Sequence, residues 1–173
     1  VPNHVAREYH STCKPKGVED LGATDNPAWA FSPLNNFYYI HEAFAPQFDA
    51  KGYSENPTRA TGNDCFTARP AQDDWYETIK LNYGVFYQNG GEQQFDPIPN
   101  TWYKMRDILL FWASKGIDGF RCDMAEMVPQ AFWAWAIAQV KEQYPTILFI
   151  AEVYNPDLYR SYIAAGFDYL YDK

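Results

Sequence analysis

Ile117-Asp118-Gly119-Phe120-Arg121-Cys122-Asp123 is a short apolar run closed by a carboxylate, and Ile147-Leu148-Phe149-Ile150-Ala151-Glu152 repeats that arrangement further along. Between them Pro129 stands at a first helical position, and Trp133, Ala136, Ile137, Val140 and Tyr144 recur on one helical face until Pro145. The order is strand over Ile117 to Cys122, helix, then a buried strand over Ile147 to Ala151. Upstream, Trp102, Met105, Leu109, Trp112 and Ala113 follow the i, i+3, i+4 rule and Gly116 stops the run, predicting a helix over 101–115. Downstream, Asn155-Pro156-Asp157 reads as an N-cap, a first-turn Pro and a first-turn acid, opening a short helix that ends before Gly166. Phe167 to Tyr171 then alternates as a further strand. No hairpin signal joins these strands, so the pattern predicts a parallel α/β architecture.

Working back towards the N-terminus, the texture changes at Asn100. Residues 5–100 hold most of the prolines and turn clusters such as Gly62-Asn63-Asp64 and Asn89-Gly90-Gly91. Phe37 to Ile40 and Ile79 to Tyr83 are strand candidates there, and no helical period is sustained. Val1-Pro2-Asn3-His4 reads as the end of a strand. The expected divisions are therefore 1–4, 5–100 and 101–173. A few parallel strands with open edges make an incomplete sheet or part of a barrel. The sequence is accordingly expected to be a truncated piece whose edges favour self-association.

The 173 residues carry a formal charge of -8, which argues against a nucleic-acid partner because phosphate binding relies on clustered Lys and Arg. The 14 Tyr, 12 Phe and 6 Trp serve mostly as core, but flat amphipathic rings also suit the apolar faces of sugars. No apolar run approaches the roughly 20 residues that cross a bilayer. The compartment stays open, with an extracytoplasmic one favoured. Cys122 falls in a strand as a small hydrophobe, and Cys13 and Cys65, both in loop-like sequence, form a candidate pair.

Because strand side chains alternate, Gly119, Arg121 and Asp123 share one face, and Leu148, Ile150 and Glu152 share the corresponding face of the next strand. Two carboxylates then converge at one rim, as retaining glycoside hydrolysis requires: one acts as nucleophile, the other as acid and then base, about 5 to 5.5 Å apart. Arg121 supplies a permanent cation beside Asp123. Glu152, beside an ionised Asp123 and apolar neighbours, is expected to keep its proton near neutral pH. Each feature also has a plain structural reading: Arg121 and Asp123 as an ion pair, Glu152 as a solvated strand end, His4 as a satisfied histidine and Asn3 as a turn cap. Their joint occurrence, in order, at the ends of successive strands, favours a shared site.

With these motifs quoted, the chain resembles the α-amylase family, glycoside hydrolase family thirteen. Asn3-His4 resembles the close of the family's motif after strand three, Gly119 to Asp123 the nucleophile motif on strand four, and Ala151-Glu152-Val153-Tyr154 the acid/base motif on strand five. The resemblance implies part of a (β/α)8 TIM barrel, about strands three to six, with residues 5–100 as an inserted, loop-rich subdomain B. It implies Asp123 as nucleophile, Glu152 as acid/base, Arg121 as the partner of Asp123, His4 as a donor to bound glucosyl, and Tyr154 as a stacking residue. The substrate implied is an α-glucan such as starch or maltodextrin. Hydrolysis of α-1,4 links is the favoured reaction, and transglycosylation, debranching or a non-catalytic carbohydrate-binding relative are the alternatives. An unrelated metal-dependent barrel enzyme would leave Arg121 unexplained. Asn3 matches a calcium ligand of the family, with Asp20, Asp25, Asp49 and Asp64 as further acids, so calcium is a candidate cofactor. Glu126 and Met127 stand where many of its amylases carry Lys-His, and the family's third carboxylate is expected beyond Lys173.

Overall fold

The computed structural model describes residues 3–7 and 20–171. These fall into two units, one of residues 4–7 and 20–101, the other of residues 102–171 together with Asn3.

The first unit is built from short strands: β1 (His4–Ala6), β2 (Tyr39–Ile40), β3 (Thr58–Arg59), β4 (Thr78–Lys80), β5 (Val85–Phe86) and β6 (Glu92–Gln93). They pair antiparallel as β1 with β4, β2 with β3 and β5 with β6. The strands expected at 37–40 and 79–83 are shorter in the structure, at Tyr39–Ile40 and Thr78–Lys80. Asn82 donates its backbone N–H to Asn36 O, beside the Phe37–Leu81 bridge, and its amide to Ser32 O, each at 2.7 Å. Among the described residues, Phe37 and Leu81 form an antiparallel bridge beyond the named strands.

With so few ladder bonds, side chains carry this unit. Phe37, Tyr38, Ile79 and Leu81 are buried. Glu55 lies between two guanidiniums, accepting from Arg7 Nη1 and Arg59 Nη2 at 2.9 Å each. Arg7 also donates to the carbonyls of Tyr76, Arg59 and Thr78. The ions are thus satisfied where burial would otherwise penalise them. His4 opens β1 and meets Trp75 edge to face, with ring centroids 5.6 Å apart.

The second unit holds a three-stranded parallel sheet of β7 (Gly119–Cys122), β8 (Leu148–Glu152) and β9 (Tyr169–Tyr171), in that order. The parallel order expected from the strand and helix alternation is present. Helix α1 (Asn100–Ala113) ends before Gly116, whose φ of +78° is a left-handed stop that glycine adopts without strain. Helix α2 (Gln130–Gln143) follows Pro129 and buries Phe132, Trp133, Ala136, Ile137 and Val140. Burying each large side chain of that stripe contributes on the order of 1.5 to 3 kcal/mol. Tyr144, expected on the same face, lies just past the helix as its C-cap residue, its N–H bonded to Val140 O. Asn155 caps a 3-10 turn (Pro156–Leu158) by accepting from Asp157 N, and α3 (Tyr159–Ala164) continues from it.

Register is set by close packing of the strands. A Cβ on Gly119 would stand 2.6 Å from Leu148 O, so only glycine lets β7 approach β8 there. Cys122 is buried and burial raises its thiol to about 11. Cys65 is a free thiol, which does not fit the candidate pair; Cys13 lies outside the described residues. Among the described residues no helix is long and apolar enough to cross a membrane.

Candidate functional site

The pairing of β7 with β8 sets Arg121 opposite Ile150 and Cys122 opposite Ala151, so Asp123 leaves β7 beside Glu152, the last residue of β8. On the other side of β8, Glu152 pairs with Tyr171 of β9. The C-terminal ends of three parallel strands therefore deliver Asp123, Glu152 and Tyr171 to one rim. In parallel α/β sheets this is the end at which ligands bind.

One guanidinium joins the two carboxylates. Arg121 Nη1 lies 2.5 Å from Asp123 Oδ1, and Nη2 lies 3.1 Å from Glu152 Oε2. Its other neighbour is Tyr171, whose ring centroid is 5.5 Å from Cζ. The hydrogen bond to Asp123, with a further one to Tyr171, raises the Arg121 pKa, so the cation is permanent. The Asp123 side chain is 59% exposed, whereas that of Glu152 is 5% exposed.

Glu152 is held by donors on both oxygens. Tyr154 donates its hydroxyl to Oε1 at 2.6 Å, and the Met124 backbone N–H donates to Oε2 at 3.0 Å. Together they lower the Glu152 pKa to about 2, Tyr154 first and Met124 next, with Arg121 adding to them. This corrects the expectation of a carboxyl that keeps its proton near neutral pH. Sequence suggested apolar neighbours, but the carboxylate is covered by hydrogen-bond donors, and donors to the charged form outweigh desolvation. The same bond pushes the Tyr154 phenol up to about 12. Tyr154, expected to stack on sugar, therefore spends its hydroxyl on Glu152.

The two remaining candidates are His4 and Asn3. His4 belongs to β1 of the loop-rich unit, against Trp75. Asn3 is buried in the second unit, its amide nitrogen 3.6 Å from Met127 Sδ. A thioether is a poor neighbour for a hard cation, which takes six or more oxygens. Asp25 accepts from Asn36 N, Phe37 N and Tyr39 Oη, Asp49 from Lys51 N, and Asp64 faces Lys80. Among the described residues no three His, Cys, Asp or Glu side chains are grouped to hold a metal. The described donors do not fit a calcium site at Asn3, and no step below uses one.

No family model matches the chain. An α-1,4-glucan:maltose-1-phosphate maltosyltransferase of Chlorobaculum tepidum is 36% identical over 164 residues, covering 87% of this chain and 24% of that protein. The chain belongs to the α-amylase family. A maltosyltransferase of the same name from Cereibacter sphaeroides is 41% identical over 58 residues, covering 34% of this chain and 10% of its own length. The chain thus spans about a quarter or less of these curated relatives. An α-amylase structure from Lactobacillus plantarum is 32% identical over 55% of this chain and 19% of its own, with a TM-score of 0.37.

In this member of the α-amylase family, the sequence reading missed three residues. Tyr171 reaches the rim only through the β8 and β9 register. Met124 has φ +44° and ψ +46°, a left-handed conformation that no motif announces in a non-glycine residue. Glu126, which stands where many amylases of the family carry Lys, has its Oε2 accepting the backbone N–H groups of Tyr154 and Asn155, both at 3.1 Å. An acidic residue three positions after Asp123 was the available signal, and its partners could not be known without the fold.

Proposed function

We propose that this chain carries the nucleophile and the acid/base of a retaining, α-glucan-active enzyme, Asp123 being the nucleophile and Glu152 the acid/base. The observation that carries the reading is the sharing of Arg121 between Asp123 and Glu152 at adjacent parallel strand ends. In this reading β7, β8 and β9 are barrel strands four to six and residues 5–100 are subdomain B.

Asp123 attacks the anomeric carbon, the glycosidic C–O bond breaks, and the leaving oxygen departs with its electron pair. Arg121 keeps the attacking carboxylate oriented. A covalent glycosyl ester on Asp123 results, and Glu152 then removes a proton from the acceptor hydroxyl as that oxygen attacks the same carbon. Ionised Glu152 is ready for this second half without any change of protonation. In the first half it must acquire a proton for a sugar leaving group, but a phosphate leaving group is already a stable anion and needs little help. The curated relatives are named for maltose 1-phosphate. The phosphate donor in those names favours transfer of a glycosyl unit to an α-1,4-glucan over the hydrolysis expected from sequence.

Product analysis by the intact enzyme tests this reading. With maltodextrin acceptor, elongated chains and free phosphate should appear when maltose 1-phosphate is supplied, with the α configuration kept in the product. Reducing sugars from starch without transfer would make it a hydrolase, and cleavage of pullulan alone a debranching enzyme. Inertness towards every α-glucan and donor would overturn the assignment.

A further inference from the structure

The segment that follows Asp123 crosses to the segment that follows β8 at two points. Met124 donates to the Glu152 carboxylate, and Glu126 accepts from the backbone that carries Tyr154. Two successive N–H groups converging on one carboxylate oxygen form a small anion nest. That nest orients Tyr154, and the Tyr154 hydroxyl in turn makes the 2.6 Å bond to Glu152.

We propose that Glu126 is a positioning residue for the acid/base: by holding the 154–155 backbone it keeps the Tyr154 hydroxyl on Glu152, so that one loop sets the orientation of the carboxylate delivered by the other. This rests on the reading of Glu152 as the acid/base. Glu126 itself touches neither Asp123 nor Glu152 through any contact described above, and its effect is transmitted through Tyr154. The charged and titratable groups that face Glu152 are Arg121 and Asp123 from β7 and its end, Tyr154 from its own loop, and Tyr171 from β9. Of these the Tyr154 hydroxyl is the largest influence on the carboxylate. Losing it leaves Glu152 more basic.

A double-mutant cycle on the intact enzyme, read as pH profiles of turnover, tests the clamp. Glu126→Ala should lower kcat by about tenfold to a hundredfold, the scale of a misplaced catalytic group, with KM little changed. It should also move the acidic limb of the kcat/KM profile for the glucan acceptor to higher pH, in the same direction as Tyr154→Phe. Combining the two should add little to the larger single effect, because both remove one interaction. Glu126→Gln keeps an oxygen acceptor for the two N–H groups and should recover most of the activity, which also guards against a variant that merely folds poorly. Multiplicative effects in the double variant, or an unmoved acidic limb in a folded Glu126→Ala enzyme, would overturn the clamp. Glu152→Gln is run beside them: retained turnover there would overturn the acid/base reading itself and the clamp with it, whereas its expected loss leaves the cycle to judge the clamp alone.

Discussion

Met124 donates its backbone N–H to Glu152 Oε2 from a left-handed conformation, φ +44°, in the residue that directly follows Asp123. The turn that ends the nucleophile's strand thereby supplies a ligand to the neighbouring carboxylate. Non-glycine residues occupy this region at a cost of about 1 to 2 kcal/mol. Strain of that kind persists where surrounding contacts over-determine it, and such positions cluster at functional sites.

Met124→Gly should relieve that strain while making the unfolded chain looser, so its unfolding free energy is expected to stay within about 1 kcal/mol of the wild type. Met124→Val, with a branched Cβ poorly suited to positive φ, should destabilise and withdraw the N–H from Glu152. Urea denaturation of both variants is the check, and a more stable Met124→Val would contradict the account.

Asp123→Asn and Glu152→Gln should each lower turnover by several orders of magnitude with substrate binding largely kept, because both carboxylates act chiefly in the transition state. Steady-state kinetics on maltose 1-phosphate or a chromogenic maltoside reads this out. An active Asp123→Asn enzyme would remove Asp123 from the mechanism.

Glu152 is depressed to about 2 in the folded chain, against an unfolded value near 4.3. A carboxylate depressed by folding contributes stability above its unfolded pKa and loses it as pH falls through the folded one. The contribution should therefore be complete above about pH 4.3 and fade towards pH 2. Tyr154→Phe removes the largest cause of the depression, so the folded pKa should rise and the stability gain above about pH 4.3 should shrink. Carboxyl NMR titration of Glu152 measures the shift directly, and an unchanged value would show that Tyr154 is not its main partner.

Trp133 is buried on α2 and donates its indole N–H to Ala125 O at 3.0 Å, tying the helix to the turn that follows Asp123. Trp133→Phe keeps most of the ring but leaves that buried carbonyl without this donor, a loss of about 1 to 3 kcal/mol. Because the turn carries the contacts of Met124 and Glu126, activity should fall more than stability alone explains. Thermal unfolding compared with kinetics well below Tm separates the two.

In the loop-rich unit, Glu55→Ala removes the carboxylate shared by buried Arg7 and partly exposed Arg59. Breaking a buried pair in this way costs about 3 to 5 kcal/mol, and chemical denaturation should show a loss of that size. A change below about 1 kcal/mol would place the unit's stability elsewhere.

The parallel strands and their helices were legible because their causes are local. Apolar residues at Trp133, Ala136, Ile137 and Val140 repeat at the helical period, Asn155 caps its own turn, and Gly116 stops its own helix. The short strands near Phe37 and Ile79 were only partly legible, since their partners lie far along the chain: Phe37 bridges Leu81, and Tyr39 pairs with Arg59.

At the site, the sequence by itself determined which residues stand at the strand ends: alternation along β7 and β8 places Arg121, Asp123 and Glu152 on one rim whatever surrounds them. Only the tertiary structure decided the ionisation of Glu152 and the neighbours of all three. Glu152 is ionised because Met124, from the loop after the adjacent strand, aims an N–H at one oxygen while Tyr154 holds the other. A carboxyl pKa depends on donors within a few ångströms, and strand register rather than sequence proximity brings those donors there.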